Sequence, residues 1–88
     1  MQRYPIKIKT LSDLQQYMNL FEQFEICGLL TGSDFYVEAY DVLELSTYYP
    51  FGDLVLLVKD LRRGEPVDLE EYLKDHRLMD TERYQAAL

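Results

Sequence analysis

In YPIKIKTLSDLQQYMNLFE, residues 4–22, the spacing of apolar residues changes at Thr10. Before it, Ile6 and Ile8 alternate with Lys7 and Lys9, the period of a strand with one face buried, which predicts a strand over Tyr4–Lys9. After it, Leu14, Tyr17, Met18 and Phe21 recur at the spacing of one helical face, with Gln15, Gln16, Asn19 and Glu22 opposite. Thr10 with Asp13, or Ser12 with Gln15, supplies the side chains that cap the first backbone N–H groups of this helix. A strand therefore runs directly into a capped amphipathic helix.

Working outward, Phe24–Leu30 and Phe35–Ala39 read as two strands joined by Thr31-Gly-Ser-Asp34. Gly and Asp accept the backbone angles of a tight turn, so the two strands form an antiparallel hairpin. Asp41 with Glu44 repeats the capping pattern and opens a short helix through Leu45. Pro50 and Gly52 break the chain, and the apolar run from Asp53 to Val58 reads as a strand covered on much of its surface. Arg62-Arg-Gly-Glu-Pro66 is turn-like. A last helix follows, with Pro66 in its first turn or Asp68 as its cap, and Leu69, Tyr72 and Leu73 inward. Beyond His76 the pattern loosens, and Asp80–Leu88 reads as a further amphipathic turn or a frayed tail. The order β-α-β-β-α-β-α predicts an α+β fold, an antiparallel sheet with helices on one face. The expected organisation is one domain over 1–88, with its core at about 4–75 and a C-terminal extension at 76–88.

Composition narrows the function classes. Of 88 residues, 48% are hydrophobic and 28% charged, which describes a folded chain rather than a disordered one. No apolar run reaches the roughly 20 residues of a membrane span. Met1–Lys9 alternates instead of forming a signal core, and Cys27 has no second cysteine to pair with, so a reducing cytoplasm is expected. One cysteine and one histidine make no Cys/His zinc set, and the glycines at 28, 32, 52 and 64 form no phosphate-cradling loop, so neither metal nor cofactor is expected.

The net charge of −7 is unevenly distributed. Residues 10–58 hold eight acids and not one Lys or Arg, whereas Arg3, Lys7 and Lys9 precede them. Phosphate backbones and anionic lipid surfaces are bound by clustered Lys and Arg, so neither nucleic acid nor a membrane is an expected partner. The acids either keep the chain soluble or form a docking face for a basic partner.

Lys7-Ile-Lys-Thr-Leu-Ser-Asp-Leu14, Met18-Asn-Leu20 and Tyr36-Val-Glu-Ala-Tyr-Asp-Val-Leu43 resemble, in order and spacing, the HPr family and its HPr-like relatives. HPr is the small histidine phosphocarrier of the bacterial sugar phosphotransferase system. The resemblance runs from about Pro5 to Asp60. It implies an open-faced β-sandwich with helices covering one side of the sheet. It also implies a phosphoryl-accepting histidine at the start of the first helix, with a nearby arginine holding the phosphoryl oxygens. In this chain the histidine slot is Thr10 and the arginine slot is Ser12. A threonine hydroxyl does not titrate near neutrality and has no base beside it in sequence, so family-type phosphotransfer is not expected. Thr10 is left as a helix cap or as the remnant of an anion site. The family's regulatory serine falls on Asp41, which either imitates a phosphoserine or caps the short helix.

Aromatic residues, the histidine and the cysteine complete the candidates. Tyr48, Tyr49 and Phe51 lie beside the short helix, in the region that the resemblance makes a partner-docking face, and aromatic residues carry much of the energy of interfaces. Tyr36 and Tyr40 belong to the same aromatic group. His76, among Lys74, Asp75 and Arg77, reads as a solvated histidine, and Cys27 as a small buried hydrophobe. The expected function is a non-catalytic, HPr-like regulatory or protein-binding domain that meets another protein or a second copy of itself, with Thr10, Asp41, Tyr48, Tyr49 and Phe51 as binding residues. The alternative is a phosphocarrier that uses Thr10 or His76 as an unconventional acceptor.

Overall fold

Strand β1 (Gln2–Ile6) leads into helix α1 (Leu11–Gln23), then β2 (Glu25–Thr31), β3 (Tyr36–Glu38), helix α2 (Val42–Ser46), β4 (Leu54–Arg63), α3 (Pro66–Asp75) and α4 (Thr81–Ala86). The computed structural model describes residues 2–86. The strands form one antiparallel sheet in the order β1-β4-β2-β3. The expected α+β class and element order hold, with α4 added at the end.

Alternation along the strands sorts the sheet into two faces. Tyr4, Leu56, Leu30 and Val37 are register partners across all four strands and all are buried. Tyr17 and Leu20 of α1, Leu45 of α2 and Leu69, Tyr72 and Leu73 of α3 join them in one core. The opposite face carries Arg3, Leu57, Leu29 and Glu38, of which none is buried. Gly28 lies at a tight approach of β2 to β4: a Cβ there would sit 1.9 Å from the Leu57 carbonyl oxygen. The same place is bulged, because Cys27 pairs with Asp60 and Gly28 with Val58, which leaves Lys59 as an extra residue in β4.

Several expectations need correction. The first ladder ends at Ile6 because its partner β4 begins at Leu54, although burial still alternates through Ile8. Met18 is 44% exposed, and Leu20 takes its place. The run from Tyr17 to Phe21 offers two stripes, and only the one through Leu20 continues to the buried Phe24. Arg62 and Arg63 belong to β4, and the turn falls on Gly64, whose φ of 99° favours glycine. Pro66 opens α3 after Glu65, which makes no side-chain cap, so Asp68 is not the cap. Cys27 is exposed, because the alternation that buries Ile26 and Leu30 turns it outward.

The stretch after His76 is built into the domain; of the expected tail 80–88, the last two residues lie outside the described residues. Leu78 and Met79 are buried in the core. The Lys7 N–H donates to the Leu78 carbonyl at 2.9 Å, and the Asp80 N–H to the Pro5 carbonyl at 2.8 Å. This short segment covers the C-terminal end of the outer edge of β1, which would otherwise present unpaired backbone groups there. Arg83 fastens it: Nη2 donates to the carbonyls of Ile6 at 2.9 Å and Leu54 at 3.0 Å, and Nε donates to Asp80 at 2.8 Å. The side-chain bond from Arg83, followed by its backbone N–H, holds the Asp80 carboxyl below its ordinary value. Replacing Arg83 with Met is expected to cost about 2 kcal/mol, less than two fully buried charge-assisted bonds because the Arg83 side chain is partly in water. A carboxyl with a lowered folded pKa adds stability above its unfolded value, and that part is lost as pH falls through the folded one. Urea unfolding of both chains should therefore show the gap narrowing below about pH 4. A gap that stays constant into acid would mean that the Asp80–Arg83 pair adds nothing.

Candidate functional site

The start of α1 is organised by a reciprocal pair. Thr10 is extended, and its Oγ1 accepts the Asp13 N–H at 3.1 Å. The Asp13 carboxylate reaches back and accepts the N–H groups of Lys9 at 2.9 Å and Thr10 at 3.2 Å. Of the two capping arrangements the sequence allowed, the Thr10–Asp13 box forms. The carboxylate of the chain itself thus occupies the amide groups just before the helix, and its charge opposes an incoming anion. Ser12 is exposed beside it.

Beside this helix start is a cavity of about 280 Å³. It is lined by Ile8, Thr10, Leu11 and Leu14 before and within the start of α1, and by Ser46, Tyr49 and Phe51 at and after the end of α2. Ile8 and Phe51 are 5% exposed and belong to the core, so they make a fixed floor. The rim is the opposite. Leu11 is 85% exposed and Tyr49 64% exposed. Leu43 is 86% exposed and lies one turn before Ser46, whose hydroxyl donates to its carbonyl at 2.7 Å. The Tyr49 ring meets Phe51 edge-on, with centroids 5.4 Å apart, so the floor braces the rim. An apolar side chain entering here would meet Leu11 and Leu14 of α1 and the Tyr49 and Phe51 rings that follow α2, and would bring the rim out of water.

The expected binding residues divide. Thr10, Tyr49 and Phe51 come together at the cavity, although Phe51 acts from within the core. Tyr48 does not line it: its ring stacks on Phe35 at 4.3 Å and an interplanar angle of 2°. Asp41 caps α2 by accepting the Glu44 N–H at 3.1 Å, at the end of the helix opposite Ser46, and does not line the cavity. Tyr36 and Tyr40 are exposed. His76 is exposed at the end of α3, its ring centroid 4.1 Å from that of Tyr72. Leu11, Leu14, Ile8, Leu43 and Ser46 were not singled out from sequence as site residues. A signal existed for Leu11, an apolar residue off the Leu14–Tyr17–Phe21 stripe at a helix start.

A wider cleft of about 570 Å³, lined in part by Phe21, Cys27, Glu38, Tyr40 and Arg62, holds charges of both signs and none of the expected binding residues. Among the described residues, no group of His, Cys, Asp and Glu could hold a metal ion, and no helix is long and apolar enough to cross a membrane. Comparisons with protein-family models, with curated proteins and with solved structures found no match.

Proposed function

We propose that this chain is an HPr-like, non-catalytic binding domain of a bacterial cytoplasmic protein, which receives an apolar element of another protein between α1 and α2 and carries no phosphohistidine. The observation that carries this reading is the exposed Leu11 and Tyr49 at the mouth of an apolar cavity with a buried floor, with Leu43 exposed one turn before the lining Ser46. Leucines this exposed gain nothing from the fold, and a grouped apolar patch marks an interaction surface. The open antiparallel sheet, with helices against its other side, supports the HPr-like part of the reading.

Support for the absence of phosphotransfer comes from the helix start. Thr10 stands where the resemblance implies the phosphoryl acceptor, and its hydroxyl oxygen is engaged with the Asp13 N–H. A phosphoryl group arriving there would face the Asp13 carboxylate instead of an arginine. Incubation with phosphoenolpyruvate, the general phosphotransferase enzyme and an active HPr control should leave the intact mass of this chain unchanged. A gain of about 80 Da, the size of a phosphoryl group on an activated nucleophile, would overturn the reading. Thr10→Val and His76→Ala would then identify the acceptor.

A further inference from the structure

The sheet face turned away from the helices has a pattern that the docking cavity does not use. One row crosses the strands in the order Arg3, Leu57, Leu29, Glu38. Its ends are exposed and of opposite charge, and its two leucines are half-buried and outside the core cluster. In the neighbouring row, Val55 of β4 and Thr31 of β2 hold the same central places and are also half-buried.

We infer that this face binds a second copy of the chain. The strand order β1-β4-β2-β3 puts β4 and β2 in the middle and β1 and β3 at the rims. A two-fold axis that runs along the strands, above the seam between β4 and β2, carries β1 of one copy over β3 of the other. Arg3 then stands opposite Glu38 of the second copy at both rims, and Leu57 opposite its Leu29 in the centre. Val55 falls opposite Thr31. The surface is thus complementary to itself under a closed two-fold operation, as an isologous dimer requires. An axis across the strands and through this row would instead set Arg3 against Arg3 and Glu38 against Glu38. Facing sheets pack about 10 Å apart with strands nearly aligned, which either axis allows, so the charge pairing selects the first arrangement. Four strands give a patch only about 15 Å wide, so the dimer is weak, with a dissociation constant on the order of micromolar or above. Both docking cavities stay on the outer, helical sides.

Sedimentation equilibrium near 0.15 M salt, where the charge of −7 on each copy is largely screened, tests this directly. The expected result is a monomer–dimer equilibrium. Arg3→Glu alone and Glu38→Arg alone should each weaken it by about tenfold, since two attractive rim pairs become two repulsive ones. The double chain, Arg3→Glu with Glu38→Arg, should return to within about threefold of the original. Arg3 and Glu38 are at opposite edges of their own sheet, so this rescue arises only between copies. Cys27, on the same face two residues from Leu29, provides a second readout: a short bis-maleimide should join two copies through it. A chain that stays monomeric to about 0.5 mM, far above the micromolar range, would overturn the inference. So would a dimer that neither reversal affects.

Discussion

Phe51→Ala is expected to lower stability by about 3–5 kcal/mol. Phe51 is 5% exposed, closes the floor of the α1–α2 cavity and meets Tyr49 edge-on. Its removal would join the lost ring volume to an existing cavity that Ile8, already buried in the core, does not fill. A domain of this length has on the order of 5–10 kcal/mol of stability in total, so the variant would be close to unfolding at ambient temperature. Its thermal midpoint should fall by roughly 15–30 °C. Phe51→Leu keeps an apolar floor and should lose only about 1–1.5 kcal/mol. With eight Tyr and no Trp, tyrosine fluorescence in a urea titration gives the readout. A loss below about 1 kcal/mol for Phe51→Ala, less than any ordinary buried aromatic, would mean that Phe51 is not the floor of the cavity.

The consequence for the site is that its floor and its rim must be tested separately. Substitution at Phe51 mixes binding with folding. Leu11 and Leu43 are almost fully in water, so changes there act on binding alone. Tyr49, also exposed at the cavity, is less suitable because its ring also contacts Phe51.

Local chemistry was legible in the sequence, and long-range chemistry was not. The Thr10–Asp13 box and the Asp41 cap each involve residues three apart, and both form where the spacing placed them. The hairpin likewise followed from Gly32 and its neighbours, whose turn closes with Gly32 N–H to the Phe35 carbonyl at 2.9 Å. Arg83, in contrast, works through the carbonyls of Ile6 and Leu54, far away in sequence, and nothing near residue 83 signals that contact. Met18 and Cys27 failed for a related reason. Each is apolar, whereas the side of the element that faces the core is set by Leu20 and Phe24 in one case and by Ile26 and Leu30 in the other. Among the site residues, the aromatic group was visible as a cluster in sequence. Only packing separates Phe51, which faces inward, from Tyr48, which stacks on Phe35, and Tyr49, which stands at the rim.

Docking at the cavity between α1 and α2 is tested most directly by paired affinity capture. The tagged chain and its Leu11→Ser, Leu43→Ser double variant are applied to equal portions of lysate from the source organism, and recovered proteins are compared by quantitative mass spectrometry. Both chains should have thermal midpoints within a few degrees of each other, because exposed positions carry little folding energy, within about 0.5 kcal/mol each. Two leucines leaving an apolar interface should cost at least tenfold in affinity, about 1.4 kcal/mol or more. The expected result is a discrete protein recovered with the original chain and depleted at least about tenfold with the variant. Identical recovery with both chains, or no specific recovery with either, would contradict docking at this site.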